Sequence, residues 1–363
     1  MKSRIFKIAL VINLIFIVTF NLLNINTVDA AEYNNISDYF ISESSYEEEM
    51  SENVDKYLKD IEQSGYFTGV DDEQIYYEMY KVKESKGSIV ISHGYSEYLK
   101  RYRELIYYFN NMGYSVYGLE HRGHGNSGTL GVEDDTQIYV NSFDDYIEDF
   151  KTFIDDVVMK NKGENEKLLL FAHSMGGAIG ALFLERYPDY FDAAVLNAPM
   201  LEIDTGNVPS FIAKIVAKLS SVFGLENKYI LGKGPYEEKY DLENSGTSSK
   251  ARYEYSYENL KEDTYAQRGD GAFKWLKESF KATKEAVSKK NASKVEIPVL
   301  LFQAGNDTYV NPGGQEKFAK YAQNCELVKF EDAKHEIYRE NDEILTEYLA
   351  KLFQFYDEEI KKE

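Results

Sequence analysis

The stretch Leu168-Leu169-Leu170-Phe171-Ala172-His173-Ser174-Met175-Gly176-Gly177-Ala178 is an apolar run that stops at a serine followed closely by two glycines. Ala178, Ile179, Ala181, Leu182 and Leu184 then recur at helical spacing. The pattern predicts a buried strand, a sharp turn and a helix, with Ser174 at the tip of the turn. Such a turn strains the serine backbone and lifts its hydroxyl clear of the sheet. Strand and helix pass close together there, so the flanking residues must be small. Gly176 meets that need after the serine. Ala172 meets it before, one methyl group larger than the glycine usual in such turns. Taken alone, the same residues also fit a strand running into a helix that Ser174 merely caps.

A serine hydroxyl is a poor nucleophile at neutral pH. It needs a base within hydrogen-bond reach, and the base needs an orienting carboxylate. In an open parallel sheet these groups belong at the carboxyl ends of strands. The expected chain order is serine, acid, histidine. The chain has five histidines, and only His335 follows Ser174. It sits in Phe330-Glu331-Asp332-Ala333-Lys334-His335-Glu336, just after the last predicted strand. Asp307 lies in Gly305-Asn306-Asp307-Thr308-Tyr309-Val310, after a strand that ends at Ala304. Its plain alternative is a turn residue beside glycine. Asn306 carries no charge, and Glu331 and Asp332 lie too close to His335 in sequence to be preferred.

A developing oxyanion needs two backbone N–H donors. One is expected from Met175, at the start of the helix. The other is expected from the loop after Ser92, at Tyr95. His93 and Gly94 are read as shaping that loop, and His93 not as a base. Arg122 and His124, in Glu120-His121-Arg122-Gly123-His124-Gly125-Asn126-Ser127-Gly128, are read as pinning a polar loop beside the site. The glycines of that loop make no nucleotide fingerprint, and no histidine or carboxylate cluster has metal-ligand spacing.

The elements that must position these residues alternate along the chain. Gly65 to Val70 and Ile75 to Tyr80 predict an antiparallel hairpin about Asp71-Asp72. Strands are predicted at Gly87 to Ser92, Ser115 to Leu119, Leu168 to His173, Ala193 to Asn197, Ile297 to Ala304 and Glu326 to Phe330. Helices are predicted at Glu97 to Met112, Phe143 to Met159, after Ser174, near Gln315 to Ala322, and at Asn341 to Phe355. This is an α/β pattern, a mainly parallel sheet with helices on both faces. The alternation breaks at Met200 and resumes at Val295. The chain therefore divides into a core at 65–199 and 295–363 and an inserted helical cap at 200–294. In the cap, Phe211, Ile212, Ile215, Val216, Leu219, Val222 and Phe223 form an apolar stripe, expected mostly to pack onto the main domain. A mobile lid over a lipid cleft would show the same stripe.

Residues 1–30 have the form of a secretory signal peptide. Lys2, Arg4 and Lys7 precede an apolar stretch from Ile8 to Phe20, and Val28-Asp29-Ala30 is a small-x-small site. The expected location is outside the cell or at its surface, with an uncleaved N-terminal anchor as the alternative. Residues 31–64 form an acidic lead-in, in which Tyr46 to Gln63 fits an amphipathic helix. The chain carries 62 acidic against 41 basic residues, a net charge of −21. That balance argues against nucleic-acid binding and against broad adhesion to an anionic membrane. Cys325 is the one cysteine, so no intramolecular disulfide forms, and its expected state is a buried structural thiol.

His93-Gly94-Tyr95-Ser96-Glu97, the Arg122-Gly123-His124-Gly125-Asn126-Ser127 segment, His173-Ser174-Met175-Gly176-Gly177, Gly305-Asn306-Asp307 and the loop holding His335 together resemble one family. It is that of the monoacylglycerol lipases and bacterial lysophospholipases, serine hydrolases of the α/β-hydrolase fold. The resemblance spans roughly 65–355 and is loosest in the insertion. There, Thr247 to Tyr253 and Gly271 to Ser279, with Trp275, look like a lysophospholipase cap. Ala172 replaces the usual glycine, and Glu120 stands where the family commonly has Asp. The resemblance implies hydrolysis of a single-chain lipid ester through an acyl-enzyme, no cofactor, and transient membrane or micelle contact through the cap. A monoacylglycerol lipase, a general carboxylesterase and a proline-type aminopeptidase share this triad chemistry. A fold-retaining, non-catalytic ligand-binding protein is the alternative from another class.

Overall fold

The computed structural model describes residues 38–362, and the signal-like segment 1–30 lies outside the described residues. Tyr39–Glu363 makes one compact unit. Eight strands form one sheet in the order β1-β2-β4-β3-β5-β6-β7-β8. β1 (Glu62–Thr68) and β2 (Gln74–Tyr80) pair as the expected antiparallel hairpin, Glu62 opposite Tyr80 and Thr68 opposite Gln74. β2 is antiparallel to β4 (Tyr114–Leu119). β3 (Gly87–Ser92), β4, β5 (Leu168–His173), β6 (Ala193–Asn197), β7 (Val299–Ala304) and β8 (Cys325–Phe330) run parallel.

β3 to β7 are buried along their whole length. A strand covered on both faces reads as a continuous apolar run, which makes these five legible in the sequence. Side chains still alternate between the faces. In β5, Leu168, Leu170 and Ala172 join a cluster with Phe150, Ile179 and Phe183. Phe171 points the other way, 5.9 Å from the ring of Phe109, which itself lies 5.7 Å from Phe353. The helices carrying these residues are α2 (Arg103–Asn111), α3 (Phe143–Phe153), α4 (Ser174–Arg186) and α9 (Asp342–Lys361), counted from α1 (Asp55–Ile61). Ser142 and Asp145 close a capping box on α3.

Strand order reverses between β3 and β5, where Ser92 lies opposite Ala172. An open α/β sheet forms its ligand crevice beyond the carboxyl ends of the strands at such a reversal. Both loops expected to supply oxyanion donors leave the sheet here.

The lead-in belongs to the packed structure. Tyr46, Met50, Val54 and Leu58 are buried at four-residue spacing, through a π-helical turn at Met50–Val54 into α1. The insertion carries α5 (Ser210–Val222), α6 (Lys250–Glu262) and α7 (Phe273–Ala286); α8 (Pro312–Tyr321) follows β7. Arg252 of α6 is fully buried, bonding Glu104 of α2 at 2.9 Å, Asp342 of α9 at 3.0 Å and the Ile41 carbonyl at 2.8 Å.

Two expectations are corrected. The apolar stripe of α5 faces outward: its buried residues are Ala217 and Ser220, while Phe211, Ile212, Ile215, Leu219, Val222 and Phe223 are exposed. Small side chains let α5 approach α7 closely, so the small face turns inward. Cys325 is half-buried because β8 is the outermost strand of the sheet. Burial still pushes its thiol up to about 12.

Candidate active site

Ser174 begins α4 directly after β5, with a φ of 52°. A side chain at positive φ is strained, and the surrounding packing must hold it there. A Cβ on Gly176 would overlap the Ser92 carbonyl oxygen, so only glycine lets α4 pass the end of β3. The methyl of Ala172 has a matching gap. A Cβ on Gly180 would lie 3.1 Å from the Ala172 Cβ, so the glycine in the second turn of α4 makes room for it.

The structure brings Ser174, His335 and Asp307 together from the ends of three strands. His335 Nε2 lies 2.8 Å from Ser174 Oγ, and its Nδ1 lies 2.6 Å from Asp307 Oδ2. The other Asp307 oxygen accepts the N–H groups of Tyr309 at 2.8 Å and Val310 at 3.0 Å. Two backbone donors and an imidazole therefore fix the carboxylate. Ser174 and His335 are 7 % and 5 % exposed, so the bonds are made in a water-poor setting.

Met175 is the second residue of α4, where the backbone N–H has no helical acceptor. Across from it runs the loop after β3. Gly94 N–H donates to Glu97 Oε2 at 2.6 Å, and a Cβ on Gly94 would press on that carboxylate and on His173. Among the described residues no protein acceptor takes the Tyr95 N–H. His93 braces the loop. Its Nε2 accepts the His121 N–H at 2.9 Å, and its Nδ1 bonds the Gly94 carbonyl at 2.8 Å. Burial lowers His93 to about 4, so it stays neutral.

Arg122 forks onto Asp149 of α3 at 2.6 and 2.8 Å and reaches the Val70 carbonyl at 3.0 Å. It ties the hairpin turn, the polar loop and α3 together. His124 Nδ1 bonds the Arg122 carbonyl at 3.0 Å, and burial drives its pKa well below the usual value. Glu120 holds the N–H groups of Leu99 at 3.0 Å and Asn126 at 2.5 Å. Its extra methylene relative to Asp fits because Gly125 has no Cβ to overlap it.

Behind the triad lies a buried charged network that the sequence did not single out. Glu97 also accepts the Tyr102 hydroxyl at 2.5 Å, with Arg101 Nε at 3.4 Å. Glu336, next to His335, pairs with Arg101 and with Arg339 at 2.6 Å. Burial opposes the charge on Glu336, but Arg101 and Arg339 outweigh it and hold the carboxyl at about 2. Burial opposes the charge on Glu97 too, yet its carboxyl lies below the ordinary range. His173 is held neutral by burial, with a pKa of about 4, so the Glu97 charge rests on Arg101 and the Gly94 and Tyr102 donors.

The insertion reaches the site at two places. Trp275 of α7 packs 4.4 Å from the Tyr95 ring. Tyr309, 5.0 Å from the His335 ring, donates its hydroxyl to the Asn244 carbonyl at 2.9 Å. Glu340 clasps both the Ser248 N–H at 3.1 Å and the Lys334 N–H at 2.8 Å, joining the insertion to the His335 loop.

Residues 83–342 match the Hydrolase_4 family model, described as serine aminopeptidase, S33. Lysophospholipase L2 of Escherichia coli K12 is 32% identical over 262 residues, 72% of this chain and 74% of that one. A monoacylglycerol lipase of Mycolicibacterium smegmatis is 31% identical over 164 residues, 44% of this chain and 56% of that one. Among solved structures, a soluble variant of the Saccharomyces cerevisiae monoglyceride lipase, in complex with a substrate analog, superposes with a TM-score of 0.67. It is 20% identical, and the superposition covers 83% of this chain and 97% of that one. This last likeness shows the fold, the α/β-hydrolase architecture expected from the motifs.

Proposed function

We propose, from the premise that the chain belongs to the Hydrolase_4 (serine aminopeptidase, S33) family, that it is a carboxylic ester hydrolase acting on single-chain lipids, a lysophospholipase. The observation that carries the chemistry is His335 held between Ser174 Oγ at 2.8 Å and Asp307 Oδ2 at 2.6 Å. The likeness to lysophospholipase L2 across most of both chains supports the lipid substrate.

Ser174 Oγ attacks the ester carbonyl as His335 Nε2 takes its proton. Asp307 holds the ring and stabilises the imidazolium. The N–H groups of Met175 and Tyr95 receive the oxyanion. The tetrahedral intermediate collapses, and His335 protonates the departing alcohol. Water, deprotonated by the same histidine, then attacks the acyl-serine and releases the fatty acid. His93, Gly94, Arg122 and His124 act at one remove by holding the two loops in place. The cap meets the lipid aggregate from which the substrate comes.

The family description favours one second reading, an aminopeptidase, since an amide carbonyl is attacked in the same way. Lysophosphatidylcholine, monoacylglycerol, a short-chain ester and a prolyl amide offered in parallel separate the readings. Fastest release from lysophosphatidylcholine is expected. Fastest cleavage of monoacylglycerol would make the enzyme a glyceride lipase, and of the prolyl amide a peptidase. Export is also proposed, on the signal-like residues 1–30. Recovery outside the cell of a chain beginning at Ala31 is expected, and retention of the full chain inside would overturn it.

A further inference from the structure

We infer that the acidic lead-in is a working part of the catalytic site: through Arg252 it holds the loop that carries His335, which makes Arg252 a positioning residue. The inference rests on the triad reading of the site. The base sits on a long loop, residues 331–341, between β8 and α9. The end of β7 holds the near side of that loop. Gly305 N–H donates to the Phe330 carbonyl at 2.8 Å, and Asn306 N–H to the Ala333 carbonyl at 2.9 Å. The far side turns at Ile337–Arg339 and enters α9 at Asp342. A catalytic group misplaced by about 1 Å can lose about a hundredfold in rate, so the far side needs a fastening of its own.

That fastening is the stretch 246–256, which enters α6. Glu336 N–H donates to the Gly246 carbonyl at 2.7 Å, and the Thr247 hydroxyl to the Arg339 carbonyl at 2.6 Å. Arg339 is 3 % exposed. It donates to Glu336 Oε2 at 2.6 Å, to the Arg252 carbonyl at 2.7 Å and to the Ser256 hydroxyl. The residue next to the base is thus bound, through one guanidinium, to the backbone of α6.

The lead-in fastens α6 in turn. Ser249, the N-cap of α6, donates its hydroxyl to Glu43 at 2.6 Å, and Tyr255 donates to Asp55 at 2.7 Å. The Arg252 guanidinium lies 5.0 Å over the Tyr46 ring and donates to the Ile41 carbonyl at 2.8 Å. Its remaining donors meet Glu104 of α2 and Asp342 of α9. Asp342 itself accepts the Glu43 N–H at 3.0 Å and the Ser42 hydroxyl at 2.7 Å. The lead-in therefore grips α6 and the first residue of α9 together, and the far side of the His335 loop is held between them. Arg252 is the node: its side chain joins lead-in, α2 and α9, and its carbonyl receives Arg339. A buried ion pair adds little net stability over apolar groups of the same volume. What the planar fork adds is fixed direction. The hydrogen bonds of Arg252 reach none of Ser174, Asp307 and His335, so its effect falls on where the base stands.

Two variants of the full chain test this, Arg252→Lys and the pair Ser42→Ala with Glu43→Ala. Lysine keeps a cation beside Glu104 but cannot span Glu104, Asp342 and Ile41 together. The alanine pair removes the side-chain bonds from the lead-in to Ser249 and Asp342 and leaves Arg252 in place. Turnover of a soluble short-chain ester is measured per reactive serine, counted by fluorophosphonate labelling carried to completion. KM and the melting temperature are measured alongside. The expected result is a kcat lower by about tenfold for Arg252→Lys and about threefold for the alanine pair, with KM within about twofold of the unsubstituted enzyme. Loss of stability alone lowers the count of reactive serines and leaves kcat per serine unchanged. Unchanged kcat in either variant would overturn the inference. So would a rise in KM at constant kcat, which would assign the lead-in to substrate binding. Should Arg252→Lys not fold, the alanine pair decides alone. The expected losses in an enzyme that cleaves the short ester but no lipid would leave the inference standing and remove the lipid reading. Hydrolysis of lysophospholipid at full kcat by both variants would do the reverse.

Discussion

Glu97 Oε2 accepts the backbone N–H of Gly94 at 2.6 Å, fixing the peptide immediately before the proposed Tyr95 oxyanion donor. A buried, ionised carboxylate thus sets the direction of that donor without reaching the substrate. Glu97→Gln keeps the shape and removes the charge. Charge-assisted hydrogen bonds contribute about 1.5–3 kcal/mol. The expected result is a kcat lower by about ten- to a hundredfold with KM nearly unchanged. Steady-state kinetics on a soluble ester checks this, and an unaltered kcat would show that the loop is held by other contacts.

Arg122 and Asp149 form a bidentate pair that is 3 % and 1 % exposed. Arg122→Ala leaves Asp149 buried without its counter-charge, which costs about 3–5 kcal/mol. Urea unfolding should show that loss, while the folded fraction keeps its turnover number. A stable variant with a collapsed kcat would instead move Arg122 into the reaction.

Glu185 of α4 is 3 % exposed, and neither of its carboxylate oxygens has a hydrogen-bond partner among the described residues. Burial, reinforced by Glu285, raises its pKa to about 9. An acid whose folded pKa lies above its unfolded value binds its proton more tightly when folded. Its contribution is whole below the unfolded pKa, about 4.3, and is lost as pH rises toward about 9. Glu185→Gln removes the titration. The variant should melt a few degrees above the parent at pH 8, with the gap closing toward pH 4. A gap independent of pH would mean that Glu185 does not hold its proton.

Asp307→Asn keeps an acceptor for the N–H groups of Tyr309 and Val310 but gives His335 a neutral partner. Turnover is expected to fall by about 10³–10⁴-fold. Near-normal turnover would transfer the orienting role to another acid.

The parallel strands and the serine–acid–histidine order were legible because they are local. A buried strand is a run of apolar letters, and the turn at Ser174 needs glycine where a carbonyl passes. The charged network was not legible. Glu97, Arg101, Glu336 and Arg339 are ordinary surface letters until β3, β5 and the last loop converge. The spacing of Glu97 three residues after Gly94 is the available signal, since it sits inside the His93-Gly94-Tyr95-Ser96-Glu97 motif. The α5 stripe is legible, but periodicity gives a face and not what covers it. The small residues Ala217 and Ser220 on the opposite side marked the packed face. The exposure of Cys325 is not legible in the sequence, because a strand's place at the sheet edge depends on topology.

The most direct test of the central claim is fatty-acid release from lysophosphatidylcholine by the purified enzyme and by Ser174→Ala, with the melting temperature of each measured alongside. Steady release by the enzyme and none by the equally stable variant is the expected result. Equal release by both proteins would contradict the assignment of Ser174 as nucleophile.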